Sequence, residues 1–263
     1  MDLELKGKRA LITGAGKGIG RAVAQALAAE GCDVILVART QSDLEAVATS
    51  IVESERGGDV DVTVAKADVS RAADRQGLVD AFGEIDILIN NAGAIPGGEL
   101  SQVDEDTWRA AWDLKVFGYI EMCRLFHEAM KARGQGVIVN IIGGAGEKLN
   151  PLYIAGSTGN AGLMAFTRAL GARSPDFGIR VVGVNPGMTA TERADQLMRN
   201  WSQQKFGTPD RVADVMAGMN LPFGRMATPE ELADVVTFLA SPRASYVSGT
   251  IVTVDGGSAH RTY

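Results

Sequence analysis

The chain has 263 residues, 46% hydrophobic and 22% charged. These are ordinary values for a soluble globular protein and argue against disorder; at roughly 150 residues per domain they allow one large domain or two small ones. A net charge of −6 argues against a nucleic-acid partner.

Short runs rich in Val, Ile and Leu alternate with longer helical stretches. A strand is predicted at 9–13, then a helix at 18–30, a strand at 33–38, a helix at 41–55, a strand at 61–66 and a helix at 73–82. The strand at 85–90 leads to a long helix at 104–133, a strand at 136–141, a helix at 157–174 and a strand at 180–185. A helix at 230–240 and a strand at 251–254 close the series, the helix announced by Thr228-Pro229-Glu230-Glu231, with an N-cap, Pro at N1 and acids in the first turn. The strands are apolar nearly throughout, as strands covered on both faces are. The alternation implies an α/β fold in a single domain over 1–263: a doubly wound parallel sheet with helices on both faces.

Residues 186–225 fit the alternation least well. Helical pieces at 190–201 and 211–219 are broken by Gly207-Thr208-Pro209 and Leu221-Pro222-Phe223-Gly224. Such an insertion reads as a substrate lid over 188–225, or as a surface excursion that caps the sheet. Its Met188, Leu197, Met198, Trp201, Phe206, Met216, Met219 and Phe223 suggest an apolar small-molecule substrate, though helix amphipathicity alone accounts for much of that set.

With two histidines and two cysteines that form no CxxC pair, no metal site is expected. Cys32 and Cys123 read as buried thiols and His127 as a satisfied surface or interface residue. The polar N-terminus and the lack of an 18-residue apolar run point to a cytoplasmic protein with no membrane partner.

Thr13-Gly14-Ala15-Gly16-Lys17-Gly18-Ile19-Gly20 follows the first strand and opens the first helix. Glycines there permit a tight turn and let backbone N–H groups approach a pyrophosphate at the positive end of the helix. Strand, loop and helix in this order are the context a dinucleotide site requires. After the second strand, where an acid would hold the ribose 2′-hydroxyl of NAD, the chain has Ala38 and then Arg39, with Lys17 in the loop. Two cations suit a 2′-phosphate, which favours NADP(H) over NAD(H).

These residues resemble the short-chain dehydrogenase/reductase family, and the resemblance covers nearly the whole chain. The Thr13–Gly20 loop is similar to its TGxxxGxG motif, Asp68-Val69 to the pair that contacts adenine, and Asn90-Asn91-Ala92-Gly93 to NNAG. Pro186-Gly187, with Thr189 and Thr191, looks like the segment lining the nicotinamide, and Val254-Asp255-Gly256-Gly257 like the terminal strand at a subunit interface. The resemblance implies a Rossmann-type seven-stranded sheet, NADP binding and a homotetramer or homodimer.

The catalytic tetrad does not carry over. The family uses Asn, Ser, Tyr and Lys: Tyr exchanges the proton, Lys lowers its pKa and holds the nicotinamide ribose, Ser polarises the substrate oxygen and Asn holds a water. Here Trp108 and Gly118 frame the Asn slot, which holds Lys115. Asn140-Ile141-Ile142-Gly143 puts Gly143 in the Ser slot, and the register from Pro186-Gly187 puts Gly156 and Asn160 in the Tyr and Lys slots. The Asn and Lys types have thus exchanged places. Lys115 is read as a positive charge near the nicotinamide ribose, with Asn160 bonding the ribose, or else as a side chain snorkelling to solvent. Tyr153, seven residues before Asn160, resembles the Tyr-x6-Lys spacing of divergent enoyl reductases and is either a proton donor or a wall of the pocket. Ser157 and Thr158 are read as helix N-caps, and Glu147 and Lys148 as loop residues near the substrate.

Two functions follow. One is an oxidoreductase that moves hydride between NADP(H) and a carbonyl, alcohol or enoyl group by a non-standard proton route. The other is a non-catalytic NADP-binding protein acting as sensor, scaffold or partner subunit. Hydrolysis by a serine nucleophile lacks the nucleophile elbow and a histidine partner.

Overall fold

The structure is a computed structural model that describes residues 1–54 and 59–260. Strand β1 (Arg9–Thr13) is followed by helix α1 (Gly18–Ala29), β2 (Asp33–Ala38), α2 (Gln41–Val52), β3 (Val62–Lys66), α3 (Ala72–Phe82) and β4 (Ile87–Asn90). The second half runs through α4 (Glu105–Trp112), α5 (Gly118–Arg133), β5 (Gly136–Ile141), α6 (Ile154–Arg173) and β6 (Ile179–Pro186). It ends with α7 (Glu192–Phe206), α8 (Val212–Gly218), α9 (Pro229–Ala240) and β7 (Ile251–Val254).

All seven strands pair in parallel, in the order β3-β2-β1-β4-β5-β6-β7. The direction of winding reverses between β1 and β4, the place where a doubly wound sheet leaves a crevice at its strand ends. The period-two alternation of the strands decides which layer each side chain enters. Ala10, Ile12, Val34 and Leu36 face α1 and α9 in one apolar layer, whereas Leu11, Ile35, Val37 and Leu88 face Met122, Phe126 and Met130 of α5 in the other. Burying a Leu or Phe side chain is worth about 1.5–3 kcal/mol, so these two layers supply the main drive to fold.

The fold matches the α/β expectation, with corrections at element edges. Residues 61, 85 and 86 precede their strands, and the sixth strand is longer at both ends than 180–185. The last residue of the helix expected at 41–55 lies outside the described residues, and the described helix ends at Val52. The helix expected at 104–133 is interrupted: Asp104 caps it by accepting from the Thr107 N–H at 2.7 Å, and residues Asp113–Phe117 form a π-helical stretch between α4 and α5. No Gly or Pro marks that stretch, so the apolar period gave no sign of it. Helix α6 begins at Ile154, a turn before the expected 157. Ser157 is therefore not its cap; its Oγ instead accepts from the Asn150 N–H at 3.1 Å. The helical pieces of the 186–225 stretch run over 192–206 and 212–218.

At the start of α9 the Thr228 hydroxyl accepts from Glu231 N–H (3.3 Å) while the Glu231 carboxylate accepts from Thr228 N–H (2.8 Å). Thr228→Ala removes the first bond and should lower unfolding free energy by about 0.5–2 kcal/mol in urea titration, with an unchanged denaturant slope.

Candidate active site

Thr13 ends β1 and Asn91 follows β4. The Thr13 hydroxyl accepts from Asn91 N–H (2.9 Å) and Ala92 N–H (3.1 Å), and the Asn91 amide donates to Thr13 O (3.1 Å) and Gly14 O (3.2 Å). The glycine loop is thereby fastened to the loop after β4. Gly14 and Gly18 have φ of +68° and +53°, a region that side chains disfavour. A Cβ on Gly20 would stand 2.2 Å from Gly14 O and 2.4 Å from the Asn91 amide, so only glycine closes this junction. Gly16 lies against Asp43 and Ile19 is half-buried in the first turn of α1. That turn carries no acid of its own.

Lys17 and Arg39 are both exposed. Lys17 pairs with Asp43 at 3.1 Å, an exposed ion pair of little strength. Arg39 lies near Asp68. Burial raises the Asp68 carboxyl pKa, but the Ser70 hydroxyl (2.7 Å) and N–H (3.0 Å), then Arg39 and Arg71, outweigh it and hold the group below its usual range. Val69 beside it is buried. At the other edge, Gly187 N–H donates to Val254 O at 2.9 Å and Thr189 Oγ1 to Gly187 O at 3.1 Å. Thr191 caps α7 by accepting from Ala194 N–H, and its methyl lies over Gly18. Of this segment, Thr191 stands against the glycine loop, while Gly187 packs on Asp255 after β7.

Lys115, Gly143 and Asn160 meet at the end of β5, with Gly156 one turn earlier on α6. Lys115 reaches in from the π-helical stretch; its stem covers Gly93, and its ammonium donates to Ile142 O at 2.5 Å. Burial, aided by the Arg193 charge, pulls its pKa down to about 7. It does not snorkel to solvent. Gly143 has φ +138°, and a Cβ there would stand 2.9 Å from Nδ2 of the buried Asn160. Asn160 Oδ1 is buried without a hydrogen-bond partner. A Cβ on Gly156 would fall 2.0 Å from Cε1 and Cζ of Tyr153. The Tyr153 ring, from one turn earlier, thus lies over the glycine of the Tyr slot. Burial pushes the Tyr153 phenol up, and Arg193 only partly counters it.

Arg193 is the residue that sequence reasoning missed. It opens α7 and donates to Gly93 O (3.0 Å) and Ile95 O (2.8 Å). An N-cap followed by an acid and a cation marks a helix start, but nothing in that pattern says where the guanidinium points.

Other expected residues lie apart. Glu147 accepts from Thr253 Oγ1 (3.0 Å) and Lys148 donates to Ser258 O (3.0 Å). His127 is buried rather than at the surface and shares a 3.0 Å hydrogen bond with Ser174, while Cys32 and Cys123 are buried thiols pushed up to about 12 by desolvation. Most apolar side chains of the 188–225 segment pack on one another around buried Met198, Ala194, Val215 and Met226; Phe223 stays exposed.

The sequence profile of the short chain dehydrogenase family matches residues 8–201. The chain belongs to the short-chain dehydrogenases. It is 34% identical over 253 residues to the short-chain reductase protein NovJ of Streptomyces niveus, covering 94% of this chain and 92% of NovJ. Galactitol 2-dehydrogenase (L-tagatose-forming) of Cereibacter sphaeroides is 35% identical over 256 residues, covering 96% and 95%. The crystal structure of L-sorbose reductase from Gluconobacter frateurii, complexed with NADPH and L-sorbose, superposes with a TM-score of 0.89 at 30% identity over the full length of both chains. Among the described residues no helix is long and apolar enough to cross a membrane.

Two measurements test this geometry. Gly156→Ala drives a methyl into the Tyr153 ring and should cost about 1–3 kcal/mol of stability, a cost that largely disappears in a Tyr153→Ala background. The Lys115 pKa of about 7 lies below its ordinary 10.5. Between those values the unfolded chain binds the extra proton, so this group makes stability rise with pH above 7. Above about pH 9 the buried thiols act in the opposite sense. Denaturant titrations from pH 6.5 to 8.5 should therefore show a positive slope in the wild type that flattens in Lys115→Met.

Proposed function

We propose that the protein is an NADP(H)-dependent oxidoreductase acting on a carbonyl, alcohol or conjugated enoyl compound, with Lys115, Tyr153 and Asn160 replacing the family's tetrad. The observation that carries this reading is the refilling of the two glycine slots. The Tyr153 ring covers Gly156 and the Asn160 amide abuts Gly143, with Lys115 bonded to the neighbouring Ile142 carbonyl. A phenol, an ammonium and an amide, three of the four group types the tetrad uses, are thus kept on exchanged positions.

The glycine loop suits a dinucleotide: Gly14 and Gly18 hold positive φ, and the bare backbone of Gly14 and Gly20 lets the loop turn tightly against Asn91 at a helix N-terminus. Gly14, Gly16, Lys17, Gly18, Ile19 and Gly20 would hold the pyrophosphate side, Asp68 and Val69 the adenine, and Asn91, Ala92, Gly93 and Asn160 the ribose side. Pro186, Gly187, Thr189 and Thr191 would line the nicotinamide, which supplies or accepts hydride when bound. Arg39 and Lys17 would grip a 2′-phosphate, the basis of the preference for NADP(H). The NADPH complex of L-sorbose reductase supports that choice. The 188–225 segment serves as lid, and a homotetramer or homodimer follows from the family resemblance.

A second reading rests on Gly143 and Gly156, neither of which can transfer a proton. Under it the protein binds NADP as sensor, scaffold or partner subunit. Fluorescence titration with NADPH and NADH, followed by NADPH oxidation across carbonyl and enoyl compounds, separates the two. NADPH should bind more tightly than NADH. Arg39→Ala should weaken NADPH binding about 10- to 100-fold, the worth of a charge-assisted hydrogen bond, and leave NADH nearly unchanged. Equal affinities would overturn the NADP assignment, and binding without turnover of any compound would favour the second reading.

A further inference from the structure

Contacts from three successive residues seat the start of α7 on the cradle. Arg193 donates to Gly93 O and Ile95 O beyond β4. Glu192 pairs with Arg21 of α1 at 3.1 Å, and Thr191 lies over Gly18. Where it is held, the Arg193 guanidinium bears on both Lys115 and Tyr153. Nothing in the function proposed above uses it.

Lys115 is faced by few other groups. The loop after β4 offers it backbone at Gly93, and the end of β5 offers the Ile142 carbonyl. From α5 the Tyr119 ring lies 5.9 Å away, with its hydroxyl donated to Ile141 O at 2.9 Å. The groups that α6 and the residue before it bring here are neutral, Asn160 with its unpartnered Oδ1 and the phenol of Tyr153. Among the described residues no carboxylate bears on the ammonium; the charge that does is Arg193's. Tyr119 and Tyr153 are both driven away from ionisation by burial, Tyr119 the further. The ammonium, with its one carbonyl acceptor and pKa of about 7, is the group here that gives up a proton near neutral pH.

We propose that Lys115 delivers the proton to the substrate oxygen, and that Arg193 is a positioning residue that ties this transfer to the seating of α7 on the cradle. The proposal rests on the oxidoreductase reading. As hydride reaches the carbonyl carbon, the C=O π pair moves to oxygen and forms an O–H bond with the proton of Lys115, whose N–H bond breaks. The product is an alcohol, and the neutral amine recovers its proton from water. In the oxidative direction the neutral amine accepts the alcohol proton.

Competitive labelling with trace acetic anhydride from pH 5 to 11, read by peptide mass spectrometry on the full chain without cofactor, reports the Lys115 midpoint independently of turnover. The expected midpoint is near 7 in the wild type, against about 10.4 for an ordinary lysine. It should rise by about one pH unit in Arg193→Met, the effect of losing a like charge at short range, and remain low in Arg193→Lys. With a substrate in hand, kcat/KM for reduction should fall above the same midpoint. That fall should move to higher pH in Arg193→Met, be restored in Arg193→Lys, and turnover should collapse in Lys115→Met. An ordinary midpoint, or one indifferent to Arg193→Met, overturns the proposal whether or not the enzyme turns over. Undiminished turnover in Lys115→Met overturns the proposal and leaves the oxidoreductase reading intact. A low, Arg193-dependent midpoint in a protein that oxidises NADPH with no substrate overturns the oxidoreductase reading, and the transfer step with it.

Discussion

The hydrogen bonds between Thr13 and Asn91 join the two strand ends at which the sheet reverses its winding. In a doubly wound sheet the crevice opens at that reversal, so its width depends on how closely the two loops approach. Gly14 and Gly20 make that approach possible by leaving no Cβ between them and Asn91. From this junction outward, the loop after β4 carries Gly93 beneath the Lys115 stem and the carbonyls that receive Arg193. The glycine loop in turn receives Thr191. The same few residues therefore shape the glycine loop and fix the seats of the groups arriving from α7 and the π-helical stretch.

Behind the crevice lies a layer of buried polar contacts. The Asn90 amide donates to Asn140 Oδ1 at 2.9 Å, and the Asn140 amide donates to Thr167 Oγ1 at 2.9 Å, linking β4, β5 and α6. All three residues are fully buried. Such a chain is favourable only in one register, since a slipped strand would leave its amides without partners. It fixes β4 and β5 against α6, and hence the offset between Gly143 on one element and Gly156 and Asn160 on the other.

Much of this was legible in the residues. The alternation of apolar runs predicts the sheet and its helices, and the glycine loop falls between β1 and α1, with Asn91 directly after β4 and Pro186-Gly187 at the end of β6. By the motif resemblance, positions 115, 143, 156 and 160 were legible as departures from the family's tetrad. What fills them was not. A period of 3.6 continues through 104–133 past a single Gly118, which a helix tolerates, so the π-helical stretch that aims Lys115 was not read from the pattern. Ser157 and Thr158 carried the cap propensity, but a turn at Asn150 and the bond from Gly98 N–H to Leu152 O start α6 at Ile154. That extra turn brings the Tyr153 ring over Gly156. Apolar residues of 188–225 looked like a substrate surface in the sequence; in three dimensions most are consumed by the segment's own small core.

The two glycine slots also bear on the direction in which this site can evolve. A serine placed at position 143 would adopt a φ of +138° and crowd the Asn160 amide, and a tyrosine placed at position 156 would begin inside the Tyr153 ring. Each larger side chain is barred by a neighbour that already fills its space. A change at either glycine alone therefore strains the protein, and only a paired change, position 156 together with 153 or position 143 together with 160, avoids the collision. The two pairs behave as coupled sites, in which the room for one residue is set by the identity of the other.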